Sequence, residues 1–220
     1  MMTLSCIEVL TAKEPNASVI WLHGLGADGS DFEAMVPELT LDPHLAIRFI
    51  FPNAARIPVT VNGGVVMPAW YDILDMSIDR KVDTRQLTQS SNDIIALVEQ
   101  QIAQGIPSER IILAGFSQGG AVAYQAALTY HKPLAGLLAM STYLATSATI
   151  ELNKANEKLA VMVMHGNQDP VVPEALGQFA KNFLFDHGYA CQYKTYVMPH
   201  SVCAEQIDDI SHWLNELLKD

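Results

Sequence analysis

The sequence predicts an α/β protein built on a mostly parallel sheet with helices on both faces. Two observations carry this. Short apolar runs alternate along the chain with amphipathic segments of helical period, the pattern of strand–helix–strand units. One of those runs also ends in Gly115-Phe116-Ser117-Gln118-Gly119 and passes at once into an Ala-rich helical stretch. A serine between glycines at such a turn is held with its hydroxyl off the end of the sheet. The 220 residues suit one domain, 1–220, with a well-buried core.

Residues 18–22 read as a buried strand, followed by the loop His23-Gly24-Leu25-Gly26-Ala27-Asp28-Gly29. A helix is then expected from Phe32, Met35, Val36 and Leu39 at helical spacing. The next strand, 46–51, is stopped by Pro52. Residues 53–81 have no helical period. Asn62-Gly63-Gly64 is a turn signal between apolar runs at 58–61 and 65–67, so a β-hairpin is expected there. An excursion of this length is a candidate binding loop, or else a plain surface flap. A long helix opens at Asp83, with Gln86 three residues on in the manner of a capping box. Its apolar face is Ile94, Ile95, Leu97, Val98 and Ile102, and Gly105 and Pro107 end it.

Strand 110–114 leads into the Gly-x-Ser-x-Gly turn and helix 121–128. Strands 134–140 and 159–164 follow, then a helix with Leu176, Phe179, Ala180, Phe183 and Leu184 on one face, stopped by Gly188. Strand 191–197 precedes a final helix with Ile207, Ile210, Trp213, Leu214 and Leu217 inward. Ligands of such sheets bind at the carboxyl ends of the strands, so the strand-to-helix loops are where chemistry is sought.

Composition narrows the function classes. Half the residues are hydrophobic, 17% are charged and the net charge is −11. Nothing here would neutralise nucleic-acid phosphates or dock on an anionic membrane. No apolar run is long enough to span a bilayer, so no integral membrane association is expected. Cys6, Cys191 and Cys203 are an odd set without ligand spacing, which fits reduced thiols in a cytoplasmic protein. The first residues lack a basic region followed by a long apolar stretch, so no secretory leader is expected. Histidines and acids do not fall at ligand spacing, so neither a metal nor another cofactor is expected.

A serine hydroxyl is a weak nucleophile and needs a base, which in turn needs an orienting carboxylate. In this fold their order along the chain is serine, acid, histidine. His23 and His165 precede any acid in that order, and His44, His131, His187 and His212 lie at element ends or on helices. His200, between the last strand and the last helix, remains as the base. Asp169 directly follows an apolar strand and precedes His200; Glu174, just inside the next helix, is the alternative acid. A turn aspartate before Pro170 is the bland reading of Asp169. The oxyanion of an acyl-transfer intermediate would be held by the backbone N–H of Gln118 and one from the loop after the first strand, with Leu25 the choice.

With these residues in place the chain resembles the acyl-protein thioesterase and carboxylesterase family of small α/β-hydrolases, over nearly its whole length. The resemblance rests on His23-Gly24-Leu25-Gly26 with Asp28-Gly29, on Met67-Pro68-Ala69-Trp70-Tyr71-Asp72-Ile73, and on Gly105-Ile106-Pro107. It rests further on Gly115-Phe116-Ser117-Gln118-Gly119-Gly120, on His165-Gly166 with Asp169-Pro170-Val171-Val172-Pro173, and on His200-Ser201. It implies an α/β-hydrolase fold with no large cap domain, Ser117 as nucleophile, Asp169 as acid, His200 as base, and Leu25 and Gln118 as the oxyanion hole. It also implies an acyl-chain groove around Met67, Ile73, Leu74 and Met76, joined by Tyr143, Leu144 and Val172. Ordinary core is the other reading of the apolar residues at 73–76. Tyr143 stands where the family often has tryptophan, and Asn167 where it often has aspartate. Homodimers occur in the family.

The expected activity is hydrolysis of acyl esters, and by the same chemistry thioesters, through an acyl-enzyme. Acyl-protein thioesterase or lysophospholipase action is the alternative emphasis. A non-catalytic binding protein or an acyltransferase on the same scaffold is the rival from another class.

Overall fold

Seven strands make one sheet in the computed structural model, which describes residues 4–78 and 80–219. In chain order the strands are β1 (Cys6–Leu10), β2 (Ala17–Leu22), β3 (Ile47–Pro52), β4 (Arg56–Val59), β5 (Val65–Pro68), β6 (Ile73–Asp75), β7 (Lys81–Val82), β8 (Ile111–Phe116), β9 (Gly136–Met140), β10 (Ala160–Gly166) and β11 (Cys191–Tyr196). The large sheet runs β1-β3-β2-β8-β9-β10-β11. Every pairing in it is parallel except β1 with β3. The chain winds outward from β2 to β3, then crosses back to place β8 on the other side of β2. That reversal opens a crevice at the carboxyl ends of the strands, where ligands of such sheets bind.

Among the described residues five α-helices cover the sheet: α1 (Ser30–Glu33), α2 (Thr84–Ala103), α3 (Gln118–Thr129), α4 (Glu174–Asp186) and α5 (Ala204–Leu218). Strand side chains alternate between the two faces. Ile20 and Leu22 point into a core with Leu87 and Ile94 of α2, the alanines of α3, and Ala180 and Leu184 of α4. Val19 and Trp21 point the other way, into a core with Phe32 of α1 and Ile210, Trp213 and Leu214 of α5. The central strands are buried on both faces, which is why they read as unbroken apolar runs rather than alternating ones.

Some expectations need correction. The helix expected from Phe32 to Leu39 is a single turn, α1, followed by a 3₁₀ segment at Val36–Glu38. Pro37 breaks it, because it has no N–H to donate and disfavours helical backbone in the residue before it. Strand β1 has no counterpart in the sequence reading; it is a half-exposed antiparallel edge with a mixed pattern. The capping box at Asp83 is half formed. Asp83 accepts the Gln86 amide at 2.9 Å, but the Gln86 side chain accepts the N–H of Asp72 instead of returning to Asp83. Phe179, expected on the inward face of α4, is 51% exposed.

The hairpin of the excursion is present as β4 paired with β5, with Gly63 and Gly64 both at positive φ in its turn. A second small ribbon, β6 with β7, follows it. Asp79, in the same excursion, lies outside the described residues. The excursion packs over the crevice through Trp70 and Tyr71, both buried.

Candidate active site

Ser117 stands between β8 and α3 with φ 53 and ψ −120. A non-glycine residue in that region is strained, by roughly 1–3 kcal/mol. The turn is held from several sides. The Ser117 N–H donates to Met140 O at 2.9 Å, and the Thr142 hydroxyl donates to Ser117 O at 2.6 Å. Close approach of strand and helix explains the glycine at 119: a Cβ there would lie 2.4 Å from His23 O and 2.7 Å from Leu22 O. Backbone atoms cannot step aside cheaply, so Gly119→Ala is expected to displace the turn and cost about 1–3 kcal/mol. Thermal denaturation together with kcat/KM on an acetyl ester checks this, and an unchanged Tm and rate would contradict it.

The loops after β8, β10 and β11 converge. His200 Nε2 lies 2.9 Å from Ser117 Oγ, and His200 Nδ1 lies 2.6 Å from Asp169 Oδ2. The other carboxylate oxygen, Oδ1, accepts the amides of Val171 and Val172, each at 2.8 Å. Burial alone would raise the Asp169 carboxyl. The hydrogen bond from His200, the two amides and the nearby imidazole together hold it below the usual carboxylate range instead. An ionised carboxylate can only accept, so Nδ1 carries the proton. The neutral ring then presents its Nε2 lone pair to the serine hydroxyl, which is the tautomer a general base needs. The Phe116 ring packs on His200 with centroids 4.6 Å apart.

Glu174 takes no part in this chain of hydrogen bonds. It accepts from Gln178 and Tyr193 on the far side of the loop. His165 is fully buried, kept neutral by burial, and donates to Val172 O at 2.8 Å. His23 is also held neutral chiefly by burial. It accepts the Ala54 amide on Nε2, so its Nδ1–H donates to Gly24 O at 2.7 Å. Both histidines are structural ties for the loops on either side of Ser117. Burial pushes the Cys6 and Cys191 thiols up to about 11, so neither competes as a nucleophile at neutral pH.

β2 neighbours β8 in register, Leu22 beside Gly115, which brings the loop after β2 alongside Ser117. Among the described residues neither the Leu25 nor the Gln118 N–H has a protein acceptor. Both residues line one cleft with Ser117 and His200. The Gln118 side chain is occupied elsewhere: it accepts the Trp70 amide at 2.9 Å and donates to Tyr71 O at 2.6 Å. Trp70 Nε1–H in turn donates to His23 O. This lattice staples the excursion onto the serine turn and to the loop after β2.

The cleft holds about 270 Å³. Of the residues expected in an acyl groove, Ile73, Met76 and Tyr143 line it. Leu144 lines an adjoining cavity instead. Leu74 is 49% exposed and turned out, since it alternates with Ile73 along β6. Val172 is buried in the core, and its neighbour Val171 faces the cleft, because the Asp169 turn points successive residues in opposite directions. Met67 belongs to β5 of the hairpin and lines neither cavity; its sulfur accepts from Asn62. Arg80 and Asp31 also line the cleft, and the sequence reading overlooked both. No local pattern marked either: Arg80 sits in a stretch without periodicity, and Asp31 reads as a helix-start acid.

Comparison with known proteins agrees with the fold. A sequence model described as Phospholipase/Carboxylesterase matches residues 4–218. An acyl-protein thioesterase 1 of Gibberella zeae is 36% identical over 218 residues, covering 94% of this chain and 93% of that protein. The Neurospora crassa protein of the same name is 36% identical over 213 residues, covering 92% of this chain and 87% of that one. Among solved structures, Arabidopsis thaliana SOBER1 superposes with a TM-score of 0.85 at 28% identity, covering 92% of this chain and 99% of its own. Zea mays acyl-protein thioesterase 2 superposes with a TM-score of 0.83 at 26% identity, covering 98% and 99%.

Proposed function

This chain belongs to the phospholipase/carboxylesterase family of α/β-hydrolases, and we propose that it is a single-domain serine hydrolase of acyl esters and acyl thioesters whose catalytic residues are Ser117, His200 and Asp169. One observation carries the assignment: Ser117 Oγ, the His200 ring and the Asp169 carboxylate form an unbroken hydrogen-bonded chain at the open end of the sheet.

The steps follow from the geometry. Ser117 Oγ attacks the acyl carbonyl while His200 Nε2 takes its proton. The carbonyl oxygen, now an oxyanion, accepts from the free N–H groups of Leu25 and Gln118, each such donor contributing roughly 3 kcal/mol to lowering the barrier. His200 returns the proton to the departing alcohol or thiol, leaving an acyl-serine. Water enters, gives a proton to His200, and attacks the same carbonyl, which restores Ser117 and releases the acid. An oxygen ester and a thioester give the same acyl-enzyme, so the site supports both. The names of the curated relatives favour thioesters of acylated proteins.

The cytoplasm is the compartment we propose, on the support of the three free cysteines. Among the described residues no helix is long and apolar enough to cross a membrane.

The test is a series of acyl esters with matched thioesters, run beside fluorophosphonate labelling. Turnover of both, with a label on Ser117, is the expected result. Binding of esters without turnover or label would point to a binding protein. Transfer to an added alcohol in preference to water would point to an acyltransferase. Met76 borders the cleft, so Met76→Asp is expected to cost hexanoyl esters more than acetyl esters, since each buried methylene is worth about 0.8 kcal/mol. Equal losses in kcat/KM would place Met76 outside the acyl path.

A further inference from the structure

We propose that Arg80 sets the acyl-chain length this enzyme accepts, by forming the movable wall between the cleft that holds Ser117 and a second, apolar cavity beside it. The proposal rests on the serine hydrolase reading above.

The two cavities have two residues in common, Arg80 and Tyr143. The second is the larger, at about 410 Å³, and beyond Arg80, Tyr143 and Ser147 its wall is apolar: Ile78, Leu144, Ala145, Ala175, Leu176 and Phe179. This is a surface for methylenes. It also explains why Phe179 is left half exposed where an inward face was expected, and why Ile78 stays half exposed beside it. What separates this space from the cleft is polar. The Arg80 guanidinium lies 4.7 Å from the centre of the Tyr143 ring, and one of its terminal nitrogens donates to Val171 O at 2.7 Å.

The two halves of the wall differ in how firmly they are held. Tyr143 is buried, and its hydroxyl is tied to that of Tyr71 at 2.7 Å, within the excursion that Gln118 staples down. Arg80 is held by one backbone carbonyl and by Tyr143, through its ring face and its hydroxyl. Its Nε is buried without a hydrogen-bond partner, and among the described residues no ion pair includes it. A buried donor left unpaired is costly, and swinging the side chain out to solvent would relieve it. A guanidinium does not lose its charge at any working pH, so movement, not titration, is what opens the wall.

With the wall in place an acyl group from Ser117 has only the smaller space. With it moved, the two spaces join, and a longer chain runs on past Tyr143 toward Leu176 and Phe179. Short acyl groups are therefore processed without disturbing Arg80, whereas long ones must displace a charged side chain from its contacts. Arg80 acts as a specificity-determining residue: it does not touch the reacting atoms.

The experiment compares butyryl and dodecanoyl esters on the full chain. In Arg80→Ala the ratio of kcat/KM for dodecanoyl over butyryl is expected to rise by at least about tenfold, since burial of each methylene is worth about fourfold. Arg80→Met, which fills part of the space without donors or charge, is expected to give a smaller rise. Adding Ala175→Phe to Arg80→Ala refills the far cavity and is expected to return the ratio toward its starting value. An unchanged ratio, or an equal fall at both lengths, overturns the proposal and leaves Arg80 as a loop support. A loss confined to esters with a terminal carboxylate, such as a succinyl monoester, also overturns it and makes Arg80 an anion site. Fluorophosphonate labelling and butyryl turnover of the unsubstituted protein report separately on the hydrolase reading. Absence of both would remove that reading and the gate with it.

Discussion

Replacing Ser117 with alanine is expected to lower kcat by roughly 10⁶-fold and to abolish fluorophosphonate labelling. The size follows from the coupling of the three residues. Without Oγ there is no acyl-enzyme, so His200 and Asp169 have nothing to activate, and what persists is substrate binding and the two free amides beside it. Those amides, on Leu25 and Gln118, are backbone groups and survive the substitution. The turn survives too. It is fixed by the Ser117 N–H to Met140 O, by Thr142 to Ser117 O, and by the packing of Gly119 on β2, none of which uses the serine hydroxyl. Alanine carries about the same backbone strain as serine at φ 53. Tm should therefore stay close to that of the unsubstituted protein while turnover vanishes. A label that persists at another serine would sink the assignment.

Much of this site could be read from the chain because its chemistry requires particular local geometry. A serine at a strained strand-to-helix turn demands small neighbours, and those glycines are visible in any sequence. The order serine, acid, histidine, together with a place between the last strand and the last helix, left His200 alone among seven histidines. The central strands were legible because burial on both faces makes them continuous apolar runs. What escaped has long-range causes. The Gln118 side chain reaches 48 residues back to Trp70 and fixes the excursion over the cleft, and no local pattern announces that. β1 gains its place chiefly by pairing with β3, so its own sequence says little.

The residues expected in an acyl groove show the same division. Membership of Ile73 and Met76 in the cleft against the outward turn of Leu74 follows from the two-residue period of a strand. That period is undetectable in β6, three residues long. Val171 rather than Val172 faces the cleft because Asp169 gathers both of their amides on one oxygen and reverses the chain there. Arg80 was invisible for another reason. A charged residue in a polar stretch reads as solvated surface, and only the tertiary structure lays it across Tyr143 between two cavities.

Asp169→Asn is expected to lower kcat by roughly 10⁴-fold with little change in backbone geometry, and the reason lies in how the two carboxylate oxygens are used. Oδ1 accepts two amides, from Val171 and Val172, so an asparagine placed here must keep its carbonyl oxygen on that side. Its NH₂ group then faces His200 Nδ1, where Oδ2 now accepts at 2.6 Å. A donor in that place forces Nδ1 to accept, and the neutral ring moves its proton to Nε2. Nε2 would then offer a proton to Ser117 Oγ in place of a lone pair, and general-base catalysis is lost. The substitution also has a pH signature. The Asp169 carboxyl is held below its ordinary range in the folded protein, although burial alone would raise it. A carboxylate whose folded pKa is depressed contributes stability that is present above its unfolded pKa, about 3.9. That contribution is lost as pH falls through the lower, folded value. Asparagine has no such titration, so the stability gap between the two proteins should be widest near neutrality and narrow progressively below about pH 4. Urea midpoints across that range, beside kcat at neutral pH, make the test. A loss in kcat of less than about tenfold would mean that another group orients His200, and a gap that does not vary with pH would mean that the Asp169 carboxylate is not selectively stabilised by the fold.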